Sequence, residues 1–286
     1  MADGSGGPGD DDGGRPQPAP GARLSAEIYG PPGRPVVLLH GQPGTAADWK
    51  RVIALVEDRY EVIAPDRPGY GATGGPATGF AGNARAVLDL LDRLGRSRAL
   101  IVGHSWAGGA AIWAAATYPE RVSGLVLVSS VGPGERLAWN DRLLGAPLAG
   151  EAIAAAAGGA LTLVAGNSRV QSLADSHLPR RARDGYRYLA RLAAGQDRLW
   201  RTFLVEQRHL LSDLGGLEPV LARVEAPTVV LHGASDRTVE PAVAVHLASR
   251  ISGAKLIMVA GARHLIPQDH PGAVAAAIDE VASGSP

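Results

Sequence analysis

The sequence predicts an α/β fold: a mostly parallel sheet with helices on both faces and a helical lid inserted into it. Three observations lead to this class. Short apolar runs alternate with helical runs along most of the 286 residues, which is typical of a parallel sheet with helical crossovers. One strand turns sharply into a helix at a serine, Ser105. A stretch of about 80 residues, 135–214, carries helical patterns only, and it is too long to be a structureless loop.

The first strand of the pattern is Val36–His40, and a tight loop, Gly41–Gly44, follows it. Pro43 has no N–H, so the amide of Gln42 is the natural donor in this loop. A free backbone N–H beside a reacting carbonyl can stabilise an oxyanion. The loop therefore predicts one donor of an oxyanion hole at Gln42.

The next informative element is an apolar strand, Ala99–Val102. It leads into a turn at Ser105, and a helix, Gly108–Tyr118, follows the turn. Such an elbow projects the serine hydroxyl above the sheet and points the following amide, that of Trp106, at the same place. It thus predicts a nucleophile and a second oxyanion donor. Ala107 departs from the usual Gly-x-Ser-x-Gly pattern. A helix N-cap is the alternative role for a serine in this position.

Two later strands supply an acid and a histidine. Asp236 follows the strand Pro227–Gly233, and His264 follows the strand Lys255–Val259. Both residues stand just beyond carboxyl ends of strands, the edge where ligands bind in open parallel sheets. The order serine, acid, histidine is that of a catalytic triad built on a serine elbow. An N-cap role is the alternative for Asp236.

These motifs resemble those of the α/β-hydrolase superfamily, and the resemblance extends from about Arg23 to about Val281. More narrowly, the chain is similar to the lid-bearing branch that holds esterases, lactonases, carbon–carbon bond hydrolases, epoxide hydrolases and haloalkane dehalogenases. Five motifs carry the resemblance, in this order: His40-Gly-Gln-Pro-Gly44, Asp66-Arg-Pro-Gly-Tyr-Gly71, Gly103-His-Ser-Trp-Ala-Gly108, His232-Gly-Ala-Ser-Asp236 and His264.

The resemblance implies roles for these residues. Ser105 is the nucleophile, His264 the general base, and Asp236 the residue that orients the histidine. Some relatives carry the acid before the lid, where this chain offers only Glu135. His270 is a competing histidine, but it directly precedes Pro271 and the last helix.

Other polar residues of the motifs are expected to be structural. A carboxylate in a Pro-Gly turn, as at Asp66, usually accepts hydrogen bonds from nearby backbone amides. The histidines His40, His104 and His232 resemble positions where the family keeps structural histidines. The acids lie in separate loops without the spacing of a metal site, so no metal is expected.

The domain organisation follows from the same patterns. Residues 1–22 are rich in Gly, Pro and Asp, and predict a disordered tail. Residues 23–134 and 215–286 form the hydrolase core, and residues 135–214 form the lid. Trp106, Tyr186 and Trp200 are candidates to line the substrate pocket, although packing within the lid explains such aromatics equally well.

Composition excludes several classes. Lys and Arg total 28, as do Asp and Glu, so neither nucleic acid nor an acidic membrane is an expected partner. The chain has no cysteine, which excludes disulfides, thiolate metal sites and a cysteine nucleophile. It also has neither a secretory signal nor an apolar run of about 18 residues, which favours a cytoplasmic protein. The sequence does not indicate the oligomeric state.

The function predicted is hydrolysis of a small or medium ester or lactone by Ser105 through an acyl-enzyme, without a cofactor. The resemblance implies that epoxide hydrolases and haloalkane dehalogenases use an aspartate nucleophile, so Ser105 argues against both activities. A carbon–carbon bond hydrolase or lyase with the same triad remains open. A non-enzymatic receptor that retains the triad is the second alternative.

Overall fold

A computed structural model describes residues 22–135, 139–152 and 197–284 of the chain. Nearly all of the predicted tail, residues 1–21, lies outside the described residues. So does the middle of the predicted lid, including Tyr186. The site candidates Gln42, Ser105, Trp106, Asp236 and His264 all lie within them, as does Trp200.

In the described part of the chain, seven strands form one sheet in the order β1-β3-β2-β4-β5-β6-β7. Six of them run parallel, and only β1, an edge strand that the sequence analysis did not predict, pairs antiparallel with β3. Strands β2, β4, β5 and β6 are almost fully buried, which explains their continuous apolar runs. Their bounds are β1 Ala26–Tyr29, β2 Pro35–Leu39, β3 Glu61–Pro65, β4 Ala99–His104, β5 Val122–Val128, β6 Thr228–Gly233 and β7 Lys255–Val259.

Helices cover both faces of the sheet, as the alternation predicts. One apolar layer joins α2, α3, α5 and α6 to the sheet, and the other joins α1, α7 and α8 to the opposite face. The register explains this, because successive side chains of β2 such as Val37 and Leu38 enter opposite layers. The helices are α1 Lys50–Val56, α2 Phe80–Arg93, α3 Trp106–Thr117, α4 Trp139–Gly145, α5 Asp197–Leu221, α6 Pro241–Arg250, α7 Ile266–Asp269 and α8 Pro271–Ser283.

The described ends of the predicted lid are helical. Helix α4 lies near its start, and α5 passes through position 214, where the sequence placed the end of the lid. The apolar side chains Leu210, Leu214, Leu217 and Leu221 of α5 are buried on the α3 side of the sheet. Because this helical spacing continues beyond residue 214, the predicted boundary falls inside a helix that belongs partly to the core.

Within the described ranges, no helix combines the length and the apolar character needed to cross a membrane.

Candidate active site

Ser105 occupies a strained turn between β4 and α3. Its backbone has φ 56° and ψ −124°, in the left-handed half of conformational space that residues with a side chain rarely adopt. The backbone on both sides is fixed, because the Ser105 N–H donates to Val128 O at 2.9 Å and Gly108 N–H donates to Ser105 O at 2.9 Å. Such strain costs about 1–3 kcal/mol and persists where the surroundings over-determine it, commonly at active sites.

The departure from the glycine pattern at Ala107 has a structural reason. A Cβ at Gly103 would lie 2.7 Å from Ala107 O, and one at Gly108 would collide with the Ser130 side chain. Position 107 itself already accommodates a methyl group, which is fully buried. Close approach in this elbow therefore requires glycine at 103 and 108, whereas Ala107 fits.

The structure brings Ser105, His264 and Asp236 into one hydrogen-bonded line. His264 Nε2 lies 2.8 Å from Ser105 Oγ, and His264 Nδ1 lies 2.8 Å from Asp236 Oδ2. Since the carboxylate can only accept, Nδ1 carries the proton and Nε2 faces the hydroxyl as an acceptor. The serine and the histidine remain partly accessible, with 8% of Ser105 and 15% of the His264 side chain exposed.

Asp236 is held in place by a turn of its own backbone. Its Oδ1 accepts hydrogen bonds from the amides of Thr238 at 2.8 Å and Val239 at 3.2 Å. Burial by itself raises the pKa of Asp236, but hydrogen bonds from His264 and from these two amides outweigh it, so the net pKa is lowered. The carboxylate is thus ionised, as the orienting role requires. These two amide bonds close a local turn, whereas the N-cap of α6 is Glu240, so Asp236 does not have the alternative N-cap role.

His104 stands beside the triad without joining it. Its Nε2 donates to the backbone oxygen of His264 at 3.0 Å, and its ring lies 5.1 Å from the His264 ring. Burial, followed by the nearby charge of His264, lowers the pKa of His104 to about 3. His104 is therefore a neutral support for the loop that carries His264.

His232 is a second buried histidine, next to Asp236. Its Nε2 lies 3.1 Å from Val239 O and 3.5 Å from Asp236 Oδ2. Burial lowers the pKa of His232 as well. The competing residue His270 occupies the N-cap position of α8, as its place before Pro271 predicts, without a capping hydrogen bond from its side chain.

The loop with Gln42 lies against the elbow. A Cβ added to Gly41 would be 3.2 Å from Ser105 Cβ, so only glycine allows the loop to approach this closely. Trp106 is the first residue of α3, where a backbone N–H has no acceptor within the helix. The Gln42 loop and the first turn of α3 thus lie next to Ser105, and the oxyanion roles of the two amides stay predictions.

A buried ion pair behind this loop was not singled out by the sequence analysis. The side chains of Arg67 and Glu206 are 1% and 0% exposed and form a salt bridge. Tyr70 donates to Glu206 at 2.6 Å, and the Arg67 guanidinium lies 4.7 Å from the Trp106 ring centre. The motif that contains Arg67 and Tyr70 was visible in the sequence, but its partner is 139 residues away.

Asp66, the neighbour of Arg67, has the structural role that its turn predicts. It accepts hydrogen bonds from the amides of Ala46 at 2.9 Å and Ala72 at 2.8 Å.

The two predicted pocket residues within the described ranges both pack against a neighbouring aromatic ring. The Trp106 side chain is interior, because the residue is 1% exposed, packs on Phe80 and donates from Nε1 to Glu206 O at 3.2 Å. Its ring thus supports the elbow rather than lining an open pocket. Trp200 is partly buried on α5 and packs edge-to-face on Phe203, at 6.1 Å between ring centres.

A cavity of about 610 Å³ opens beside His264. Its lining includes two positively charged side chains, Arg237 and Arg263. The other lining residues are Ser235, Thr238, Gly261, His264, Leu265 and Asp269. Among the residues that the structure describes, no group of three or more His, Cys, Asp or Glu side chains is arranged to hold a metal ion.

Comparison with known proteins agrees with this fold. A family model described as alpha/beta hydrolase fold matches residues 34–271. An uncharacterized protein of Mycobacterium tuberculosis is 36% identical over 136 residues, which is 47% of this chain and 40% of that protein. The chain thus spans less than half the length of the first curated relatives it matches.

Two further likenesses cover more of the chain. Haloalkane dehalogenase 2 of Mycobacterium bovis is 27% identical over 262 residues, covering 87% of each chain. The solved structure of a meta-cleavage product hydrolase from Pseudomonas fluorescens IP01 aligns with a TM-score of 0.68. That alignment covers 91% of this chain and 94% of the other at 24% identity, a likeness that concerns the fold alone.

Proposed function

We propose that this chain, which belongs to the α/β-hydrolase fold family, is a serine hydrolase that cleaves a small or medium ester or lactone through an acyl-enzyme intermediate. One observation carries the proposal. The line Ser105 Oγ, His264 Nε2, His264 Nδ1 and Asp236 Oδ2 has both of its hydrogen bonds at 2.8 Å. This is the arrangement in which a histidine can accept the serine proton while an ionised acid steadies its positive form.

The first half of the reaction forms the acyl-enzyme. Ser105 Oγ attacks the carbonyl carbon, and His264 Nε2 takes the hydroxyl proton. The carbonyl oxygen becomes an oxyanion between the amides of Gln42 and Trp106, where fixed dipoles favour the charge. The tetrahedral intermediate then breaks its bond to the alkoxy group, and His264 returns the proton to the leaving alcohol.

The second half releases the acid. His264 removes a proton from a water molecule as that water attacks the acyl carbon. The bond to Ser105 Oγ then breaks, and the serine regains a proton from His264. No cofactor takes part in either half, and the proposed partner is a small-molecule substrate.

The serine at position 105 supports ester chemistry over the activities of two related classes, the epoxide hydrolases and the haloalkane dehalogenases. Those classes are expected to use an aspartate as nucleophile, and a serine gives an acyl-enzyme only with a carbonyl substrate. We further propose that residues 135–214 form a lid over the strand edge that carries the triad. A lid of this kind excludes water and shapes the pocket.

The test is an activity panel of aryl esters, lactones, vinylogous diketones and epoxides, together with labelling by a fluorophosphonate probe. We expect ester or lactone turnover and a single label on Ser105. Ser105→Ala should abolish both, whereas Ser249→Ala, which changes an exposed serine on α6, should change neither. Turnover confined to the diketones would favour the carbon–carbon hydrolase, and no turnover of any compound would favour the receptor.

A further inference from the structure

Arg67 is bound to the loop that carries Gln42. Its Nε donates to His40 O at 2.7 Å, and its Nη2 donates to Gly41 O at 3.0 Å. Its own backbone N–H donates to His40 Nε2 at 2.9 Å. A side chain from the loop after β3 therefore holds two successive carbonyls of the loop after β2.

The His40 ring donates a second hydrogen bond to the Gly41 carbonyl, which its tautomer makes possible. His40 Nε2 must be unprotonated to accept the Arg67 N–H, so Nδ1 carries the proton. Nδ1 lies 2.9 Å from Gly41 O and donates to it. Burial lowers the pKa of His40 well below its usual value, so the ring stays neutral in this tautomer. Both lone pairs of the Gly41 carbonyl are thus used.

The Gly41 carbonyl and the Gln42 N–H belong to one peptide unit. In a planar trans peptide the C=O and the N–H point in opposite directions, so donors on the oxygen fix the direction of the N–H. A cation on the oxygen also draws electron density from the amide and strengthens its N–H as a donor. The Gly41 backbone meanwhile lies directly against Ser105.

We propose that Arg67 is a positioning residue for the reaction: it orients and polarises the Gly41–Gln42 peptide so that the Gln42 N–H stabilises the oxyanion. This inference rests on the proposed function, because it assigns a role within the same site. Arg67 does not touch the substrate and acts through the peptide alone.

Helix α5 keeps Arg67 in place. Glu206 on this helix is fully buried and pairs with the guanidinium, so the charge beneath the site is balanced. The Gln42 side chain donates from Nε2 to Phe203 O on the same helix at 2.9 Å. The oxyanion loop is thus attached to α5 by two independent links, one through Arg67 and one through Gln42.

Only a guanidinium can make this set of contacts. Arg67 reaches two carbonyls and both oxygens of Glu206 through its three side-chain nitrogens. A lysine keeps the positive charge but has one nitrogen and no planar fork. Arg67→Lys therefore separates the charge from the geometry.

The experiment compares wild type with Arg67→Lys and with a matched control, Arg96→Lys. Arg96 also forms a two-point ion pair, with Glu61 at 2.7 Å for each contact, but on residues outside the site. Each protein is assayed for kcat and KM on an aryl ester. Inhibition is then measured with a trifluoromethyl ketone, which forms a tetrahedral adduct with the serine, and with the corresponding methyl ketone.

Loss of an entire oxyanion donor costs about 10²–10³-fold in kcat, so misdirection of one should cost about 10- to 100-fold. We expect Arg67→Lys to lose this factor in kcat and a similar factor in trifluoromethyl ketone affinity. KM for the ester and the affinity for the methyl ketone should change little, because neither the bound ester nor the methyl ketone carries a developed oxyanion. Arg96→Lys should match wild type in all four quantities.

A second variant covers the case in which Arg67→Lys does not fold. Arg67→Met with Glu206→Gln removes both charges together and leaves neither buried alone. The same selective loss of trifluoromethyl ketone affinity is expected from the folded double variant.

Equal loss of affinity for both ketones, or wild-type kcat in a folded Arg67 variant, would overturn the inference while the proposed function stands. Wild-type protein that turns over no ester and binds no trifluoromethyl ketone would overturn the proposed function and this inference with it. A selective loss of trifluoromethyl ketone affinity in Arg67→Lys, with no such loss in Arg96→Lys, supports the proposed function and this inference.

Discussion

The two sides of Ser105 are built in opposite ways. On the side of β6 and β7, one hydrogen bond joins Ser105 to His264 and a second joins His264 to Asp236. The histidine side chain is 15% exposed. On the side of β2 and β3, Arg67 and Glu206 form an ion pair with side chains at 1% and 0% exposure. Under the proposed function, one side transfers a proton and the other holds backbone dipoles in fixed positions.

The difference follows from what each side must do. A general base has to gain and lose a proton, so it cannot be bound in a permanent ion pair. An oxyanion hole works because its dipoles are fixed before the reaction, and burial with complete hydrogen bonding fixes them best. Substitutions on the two sides should therefore differ in how they affect turnover and stability.

The largest effect is expected at the point where the two sides meet. Ser105→Ala removes the nucleophile while leaving the oxyanion amides, so turnover should fall by at least ~10⁴-fold. The fold should be retained, because an alanine fills the same space. Steady-state kinetics and circular dichroism measure the two quantities, and an active variant would refute the serine mechanism.

The second effect tests the proton-transfer side. Asp236→Asn keeps the shape of the residue but favours the wrong tautomer of His264, so kcat should fall by about 10⁴-fold. The structure accounts for this, since His264 Nδ1 must donate to an acceptor at 2.8 Å. The variant should still fold, and kcat within tenfold of wild type would show that another acid, such as Glu135, holds the histidine.

The third prediction concerns the stability of the static side. Arg67→Met strands the carboxylate of Glu206 in the interior and should cost about 3–5 kcal/mol in the free energy of unfolding. Adding Glu206→Gln should recover a large part of this loss, because the remaining groups are neutral. Urea unfolding of the two variants measures the difference. A single variant as stable as wild type would mean that the pair is not buried.

The fourth prediction is a pH dependence of stability that both sides share. The pKa of His104 is about 3 in the folded state against 6.5 for an unperturbed histidine, chiefly through burial and also through His264. Below pH 6.5 the unfolded chain binds this proton and the folded protein does not. Stability should therefore fall as pH decreases from about 6.5 to about 3, by up to ~1.4 kcal/mol per pH unit for each such histidine.

Unfolding measured at pH 7, 6 and 5 tests this slope. The pKa values of His40 and His232 are lowered too, so His104→Gln should flatten the dependence without abolishing it. A slope unchanged by His104→Gln would place the proton uptake elsewhere.

The smallest effect is expected at α5, which belongs to the static side and borders the proposed lid. Trp200→Ala should change the ranking of acyl-chain lengths by up to about tenfold and leave the smallest acyl donor nearly unaffected. Trp200 packs on Phe203, whose backbone oxygen accepts the hydrogen bond from the Gln42 side chain. If kcat/KM fell equally for every chain length, Trp200 would support the fold without selecting substrate.

Features of the fold that depend on local residue patterns could be predicted from the amino-acid order alone. Buried parallel strands need continuous apolar runs, so β2, β4 and β6 could be predicted with ends displaced by at most a few residues, and the partly exposed β7 could be predicted from its short apolar run. The elbow at Ser105 and the positions of Asp236 and His264 just beyond their strands follow from the same local rules. The short edge strand β1 was missed because it is partly exposed and its apolar pattern is weak.

Contacts between residues that are distant in the sequence depend on how the folded chain packs. Nothing near Arg67 in the sequence indicates that Glu206, 139 residues later, balances its charge. The burial of Trp106 was equally hidden, because the same residue type suits a pocket wall and a core. The continuation of α5 past residue 214 depends on packing against α3. Spacing along the chain reports which way a side chain faces, whereas pairing across the fold depends on long-range contacts that only packing brings together.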